Sequence, residues 1–101
     1  MIVKDVLLTL EDMSTVLIQW EVNTIDNLNS FEIWRSFDGV NFSLLTRIED
    51  FKRYYRDTDV AIRRGYRYKI KALNSIGMVL AESSVNTIFV ANITVSGSIC
   101  L

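Results

Sequence analysis

Gly65-Tyr66-Arg67-Tyr68-Lys69-Ile70-Lys71-Ala72-Leu73-Asn74 alternates without a break. Tyr66, Tyr68, Ile70 and Ala72 share one parity, and Arg67, Lys69 and Lys71 share the other. Side chains on a β-strand point to opposite faces in turn. The pattern therefore predicts a strand with a buried aromatic and aliphatic face and a wet face that carries a row of bases.

The flanks divide in the same way. Downstream, Asn74-Ser75-Ile76-Gly77 reads as a hairpin turn, and residues 78–90 hold the last strand, with Ser83 and Ser84 marking an irregularity. Upstream, residues 59–64 are a connection and residues 53–58 a short strand with Tyr55 inward. Residues 49–52 read as a loop or one helical turn. Asp38-Gly39 is a strong hairpin signal, because glycine readily takes positive φ. It joins a strand that begins at Phe31 and Ile33, with Glu32 and Trp34 on the other face, to a returning strand over 42–48. Before the polar loop 23–30, Val16, Ile18, Trp20 and Val22 mark one strand, and Val6, Leu8 and Leu10 mark another. Seven short strands with turns between them, and no amphipathic helix, predict an all-β, seven-stranded antiparallel sandwich over residues 1–90. Residues 91–101 remain as a C-terminal extension or a prolonged last strand.

Composition narrows the function classes. The chain has 101 residues, half of them hydrophobic and 23% charged, as expected of one folded domain rather than a disordered segment. The net charge of −1 provides no global attraction to nucleic acid. Residues 1–46 carry seven acids against Lys4 and Arg35, and residues 47–71 carry nine bases against four acids. The two regions are expected to neutralise each other when packed side by side. Cys100 is the one cysteine, so no intrachain disulfide can form. The N-terminal residues show neither a basic n-region nor a long apolar core, and no apolar run is long enough to span a bilayer.

With these residues in order, the chain resembles a fibronectin type III domain over residues 3–90. Trp20 stands where that family places the core tryptophan of its second strand. Residues 31–39, Phe-Glu-Ile-Trp-Arg-Ser-Phe-Asp-Gly, resemble the third strand and turn of microbial and bacteriophage members. Tyr55, Asp57 and Val60, followed by Tyr66, have the spacing of the family's tyrosine corner, in which Tyr66 would bond to backbone upstream. The resemblance implies an immunoglobulin-like sandwich whose core includes Trp20, Tyr55, Val60, Tyr66, Tyr68 and Ile70. The chain departs from the family in having no proline and no Arg-Gly-Asp triplet.

Catalysis finds little to work with. Without histidine, no Ser-His-Asp or Cys-His arrangement can be built, and a conventional structural zinc site lacks its ligands. No glycine-rich phosphate loop is present. The carboxylate pairs Glu11/Asp12, Glu49/Asp50 and Asp57/Asp59 read as solvated turn residues rather than acid–base or Ca²⁺ sites. The sequons at Asn41 and Asn92 matter only in a glycosylating compartment. The expectation is a non-enzyme without cofactor or metal.

Binding remains. If Phe31 and Ile33 point inward, Trp34 points out, beside Arg67, Lys69 and Lys71, as a contact surface or as a ring covered by lysine and arginine stems. Beyond residue 90, Ile93 and Val95, then Ile99 and Leu101, repeat the strand period and suggest an arm that adds a strand to a neighbouring subunit. The expected partners are proteins, either copies of the chain or a viral particle scaffold, with no nucleic acid and no membrane insertion. The resemblance implies a structural component of a bacteriophage capsid or tail, made in the host cytoplasm. The alternative is an extracellular spacer or weak carbohydrate-binding module within a larger bacterial surface protein or carbohydrate-active enzyme.

Overall fold

The alternating segment forms the strand Arg64–Leu73 at the centre of the larger of two antiparallel sheets. In this computed structural model residues 2–23, 26–49 and 52–91 are described. They form β1 (Val3–Asp12), β2 (Thr15–Val22), β3 (Ser30–Ser36), β4 (Ser43–Ile48), β5 (Tyr54–Asp57), β6 (Arg64–Leu73), β7 (Val79–Glu82) and β8 (Asn86–Val90). One sheet is ordered β1-β2-β5 and the other β4-β3-β6, with β7 and β8 both pairing to the far side of β6. The architecture is the all-β antiparallel sandwich expected from the alternation.

The inward parity of each central strand makes the core. Val16, Ile18 and Trp20 come from β2, Phe31 and Ile33 from β3, and Tyr66, Tyr68, Ile70 and Ala72 from β6; all are buried. Trp20 meets Phe31 edge-on, with ring centroids 5.4 Å apart and planes at 70°. This is a favoured aromatic geometry. Tyr55 and Val60 are only half-buried and pack against the rim of this cluster. The Tyr66 hydroxyl accepts the Ala61 N–H at 2.8 Å and ties the β5–β6 connection to β6. Gly39 and Gly77 take φ of 81° and 84° in the two hairpin turns, where other residues would be strained.

The expected single last strand is two. Tyr68 pairs with Asn86 and Lys71 with Glu82, so four steps along the edge match three along β6. The extra residue is accommodated around Ser83, whose N–H donates to the Ile70 carbonyl at 2.8 Å. The Ile70 N–H in turn donates to Ser83 Oγ at 2.9 Å, and that hydroxyl donates to the Ser84 carbonyl at 2.8 Å. A side-chain hydroxyl thus takes the place of a ladder carbonyl, and the strand breaks without orphaning the central one.

Asp57 corrects the sequence reading. It is not a solvated turn residue but is 1% exposed, in a polar cluster at the core's end. Arg35 Nη1 donates to both its oxygens, at 2.9 and 3.1 Å, and the Tyr68 hydroxyl donates to Oδ2 at 2.7 Å. The Asp59 N–H adds a further bond at 3.1 Å. A buried carboxylate needs this many donors to offset lost hydration. Its inward parity with Tyr55, matching that of Arg35 with Ile33, was the available signal for a buried pair.

Candidate functional site

The row of bases on β6 faces outward, as its parity requires, but its members are engaged. Trp34 pairs with Lys69 across β3 and β6 and is half-buried. Its indole N–H donates to Glu32 Oε1 at 3.0 Å, and Lys71 Nζ stands 4.4 Å from the ring centre. Lys69 Nζ lies 3.6 Å from Glu82 Oε1 and 4.8 Å from the Phe42 ring centre. Arg67 donates to the Gly39 carbonyl at 3.3 Å, bracing the β3–β4 hairpin. The sheet brings Trp34, Lys69 and Lys71 together, while Arg67 turns toward the hairpin. The result is a tryptophan flanked by lysine, with its polar atom already satisfied.

The acidic and basic regions of the chain meet where Arg56 grips Glu11 at 2.8 Å across the smaller sheet and where Arg35 pairs with Asp57 at 2.9 Å, while Arg47 and Glu49, 3.2 Å apart, pair within the basic region. The hydrogen bond that it donates to Glu11 holds the Arg56 guanidinium above its ordinary value. In the buried cluster, burial opposes the Arg35 charge most strongly, and the hydrogen bonds to Asp57 and Asp59 together with the Asp57 charge more than offset it. Tyr68 is raised above its ordinary value, first by burial and then by its bond to the Asp57 carboxylate. At the β3–β4 turn, Asp38 accepts the N–H groups of Asn41 and Val40 at 2.8 Å each, and these hold its carboxyl well below the usual range. Each of these arrangements fixes structure. None combines a nucleophile with a base, and among the described residues no three His, Cys, Asp or Glu groups converge as metal ligands. No helix of the described residues is long and apolar enough to cross a membrane.

The two flanks of the sandwich differ. On one, β1 and β8 approach each other across the layers. On the other, β4 and β5 leave a groove of about 570 Å³ lined by Arg47, Ile48, Lys52, Tyr54, Tyr55 and Arg56. Lys52 and Arg56 lie 6.0 and 5.7 Å from the Tyr54 ring centre, a basic and aromatic lining that the sequence reading did not single out.

The strand edges differ as well. β1 carries Lys4, Asp5, Glu11 and Asp12, and bends where Asp5 takes φ of 54° beside a register shift. β5 is four residues long, bears Arg56 and follows Lys52 and Arg53. β4 carries Arg47 with Glu49 next to its end. Charges, bulges and shortness are the usual guards against edge-to-edge pairing. β7 and β8 are short and interrupted at Ser83, but they have almost no charge. From residue 72 to the C-terminus Glu82 is the only charged side chain. Val79 on β7 and Phe89 on β8 are 45 and 59% exposed, as are Ile76 and Met78 before β7 (80 and 58%) and Val85 in the break (49%). That charge depletion was readable in the sequence. The expected arm residues Ile93, Val95, Ile99 and Leu101 lie outside the described residues.

No protein-family model and no curated protein matches the chain. Solved structures do match in shape. The sixth fibronectin type III domain of human fibronectin type III domain containing protein 3 superposes with a TM-score of 0.78 at 13% identity, over 97% of this chain and 92% of that one. The β-1,2-glucanase of Parabacteroides distasonis matches at 0.74 and 15% identity, over 91% of this chain but 12% of the enzyme. Pectate lyase PelI of Erwinia chrysanthemi, solved with tetragalacturonic acid, matches at 0.70 and 14%, over 81% of this chain and 27% of the lyase. Against these two enzymes the chain is similar to a small part only. Likeness at such low identity concerns shape, and on that ground, with the sheet order and the tyrosine corner in place, the chain has the fibronectin type III fold.

Proposed function

We propose that the chain is a non-catalytic structural and protein-interaction module that joins proteins through a strand edge or through its C-terminal segment. The observation that carries this reading is the β7–β8 edge, apolar and almost without charge, which leads in sequence to residues 91–101. Such edges are normally covered in a working assembly. The finer reading is a capsid or tail component of a bacteriophage virion, of the microbial branch of this fold, made in the host cytoplasm. It draws on the resemblance of residues 31–39 to the third strand and turn of such members. The test is the solution mass of the full chain, and of a chain ending at residue 90, over a concentration series. A defined oligomer supports an assembling module, and its loss on truncation assigns the contact to the C-terminal arm. A monomer at every concentration speaks against self-assembly.

The second reading is an extracellular spacer or weak sugar-binding module in a carbohydrate-active enzyme. It is favoured by the glucanase and the pectate lyase, in which a similarly shaped part accompanies an enzyme. Trp34 would be its stacking platform, with Lys69 and Lys71 beside it. Titration of tryptophan fluorescence with neutral and acidic oligosaccharides tests it, and an unchanged spectrum removes it.

A further inference from the structure

We infer that the β7–β8 edge pairs with the same edge of a second copy about a twofold axis, joining two larger sheets into one continuous sheet. The inference rests on the reading of the chain as a protein-interaction module and names its partner and contact strand. Three observations lead to it.

The first is selective exposure. Among the described residues, this edge combines exposed apolar side chains with the fewest charges for its length. Its lone carboxylate, Glu82, is paired with Lys69 at 3.6 Å. The second is self-compatibility. A strand edge meeting itself across a twofold axis brings like residues near like, so a charged edge is excluded from such pairing and a neutral one is not. A neutral edge also has no charge pattern with which to select a different partner. The third is internal matching. The break at Ser83–Val85 separates β7, of four residues, from β8, of five. A twofold axis opposite Ser84 sets β7 of one copy against β8 of the other. Glu82 then lies opposite Asn86 rather than opposite its own copy.

The scale is sufficient. The edge from residue 76 to residue 90 runs roughly 45–50 Å at about 3.3 Å per residue. With the ~10 Å depth of a sheet layer, such a strip covers about 1,000 Å² summed over both copies. That is at the lower bound of specific interfaces, so the dimer should depend on concentration.

The test is the solution mass of the full chain over a concentration series, alongside Val85→Lys, Met78→Lys and, on the β4 edge, Leu44→Lys. All three positions are exposed, and a thermal melt confirms that each variant is folded. The expected result is a rise from 11.6 kDa toward twice that value. Val85→Lys and Met78→Lys should each weaken this self-association at least tenfold, and Leu44→Lys should leave it unchanged. An oligomer that survives both edge variants overturns edge pairing while keeping an assembling module. Dissociation by Leu44→Lys alone moves the contact to β4 and also overturns it. A monomer at every concentration overturns the self-pairing while leaving the interaction-module reading with a different protein as partner.

Discussion

At the scale of single residues, Asp57 is where the fold is most vulnerable. It satisfies Arg35 and Tyr68 at once, and its own side chain is 1% exposed. Asp57→Ala leaves the buried Tyr68 phenol without its acceptor and leaves Arg35, 16% exposed, with only the Asp59 carbonyl and carboxylate to bond. The expected loss is about 3–5 kcal/mol, the range for breaking a buried ion pair, measurable by urea denaturation. The same cluster sets the response to alkali. Tyr68 is raised above its ordinary value by burial and by the Asp57 bond. The neutral phenol is therefore favoured in the folded state. That contribution is whole below the ordinary tyrosine value near 10 and is lost as pH rises through the folded value. Titration of tyrosinate absorbance should show one of the four tyrosines ionising only as the protein unfolds. Trp20 belongs to the same scale. Trp20→Ala should cost about 3–5 kcal/mol in denaturation, because it empties the centre of the core beside Phe31.

At the scale of elements, alternation made the sequence legible. Tyr66 to Ala72 set the inward face of β6, Phe31 and Ile33 that of β3, and Val16 to Trp20 that of β2. Asp38-Gly39 and Asn74 to Gly77 placed two turns. The split of the last strand was only half legible. Ser83 signalled an irregularity, but that its hydroxyl would replace a ladder carbonyl depends on the spacing to Ile70, which no local pattern carries. Ser83→Ala should strand the buried Ile70 N–H and cost about 1–3 kcal/mol, read from the same denaturation curves. The polar cluster was missed for a related reason. Arg35 and Asp57 both occupy inward parity, yet charged residues near strand ends are ordinarily solvated, and their meeting depends on the stacking of two sheets. The basic row on β6 was placed correctly on the outer face. Its engagement with Glu82, the Trp34 and Phe42 rings and the Gly39 carbonyl required the neighbouring strands.

At the scale of the whole molecule, the sandwich is asymmetric in what it offers. On one flank β1 and β8 approach each other, and the other opens into a groove with basic and tyrosine walls. Three edges carry several charges for their length, and the fourth, β7 and β8, is nearly neutral. An edge of this kind can assemble only if the backbone groups along it remain unpaired in the isolated chain, and pairing must then slow their exchange. Amide hydrogen exchange of the full chain at low and high concentration measures this strand by strand. The account predicts that residues 79–90 become protected as concentration rises, while β4 and β5 keep their rates. Protection confined to β4 or β5, or no change along β7 and β8 while the protein assembles, would contradict it.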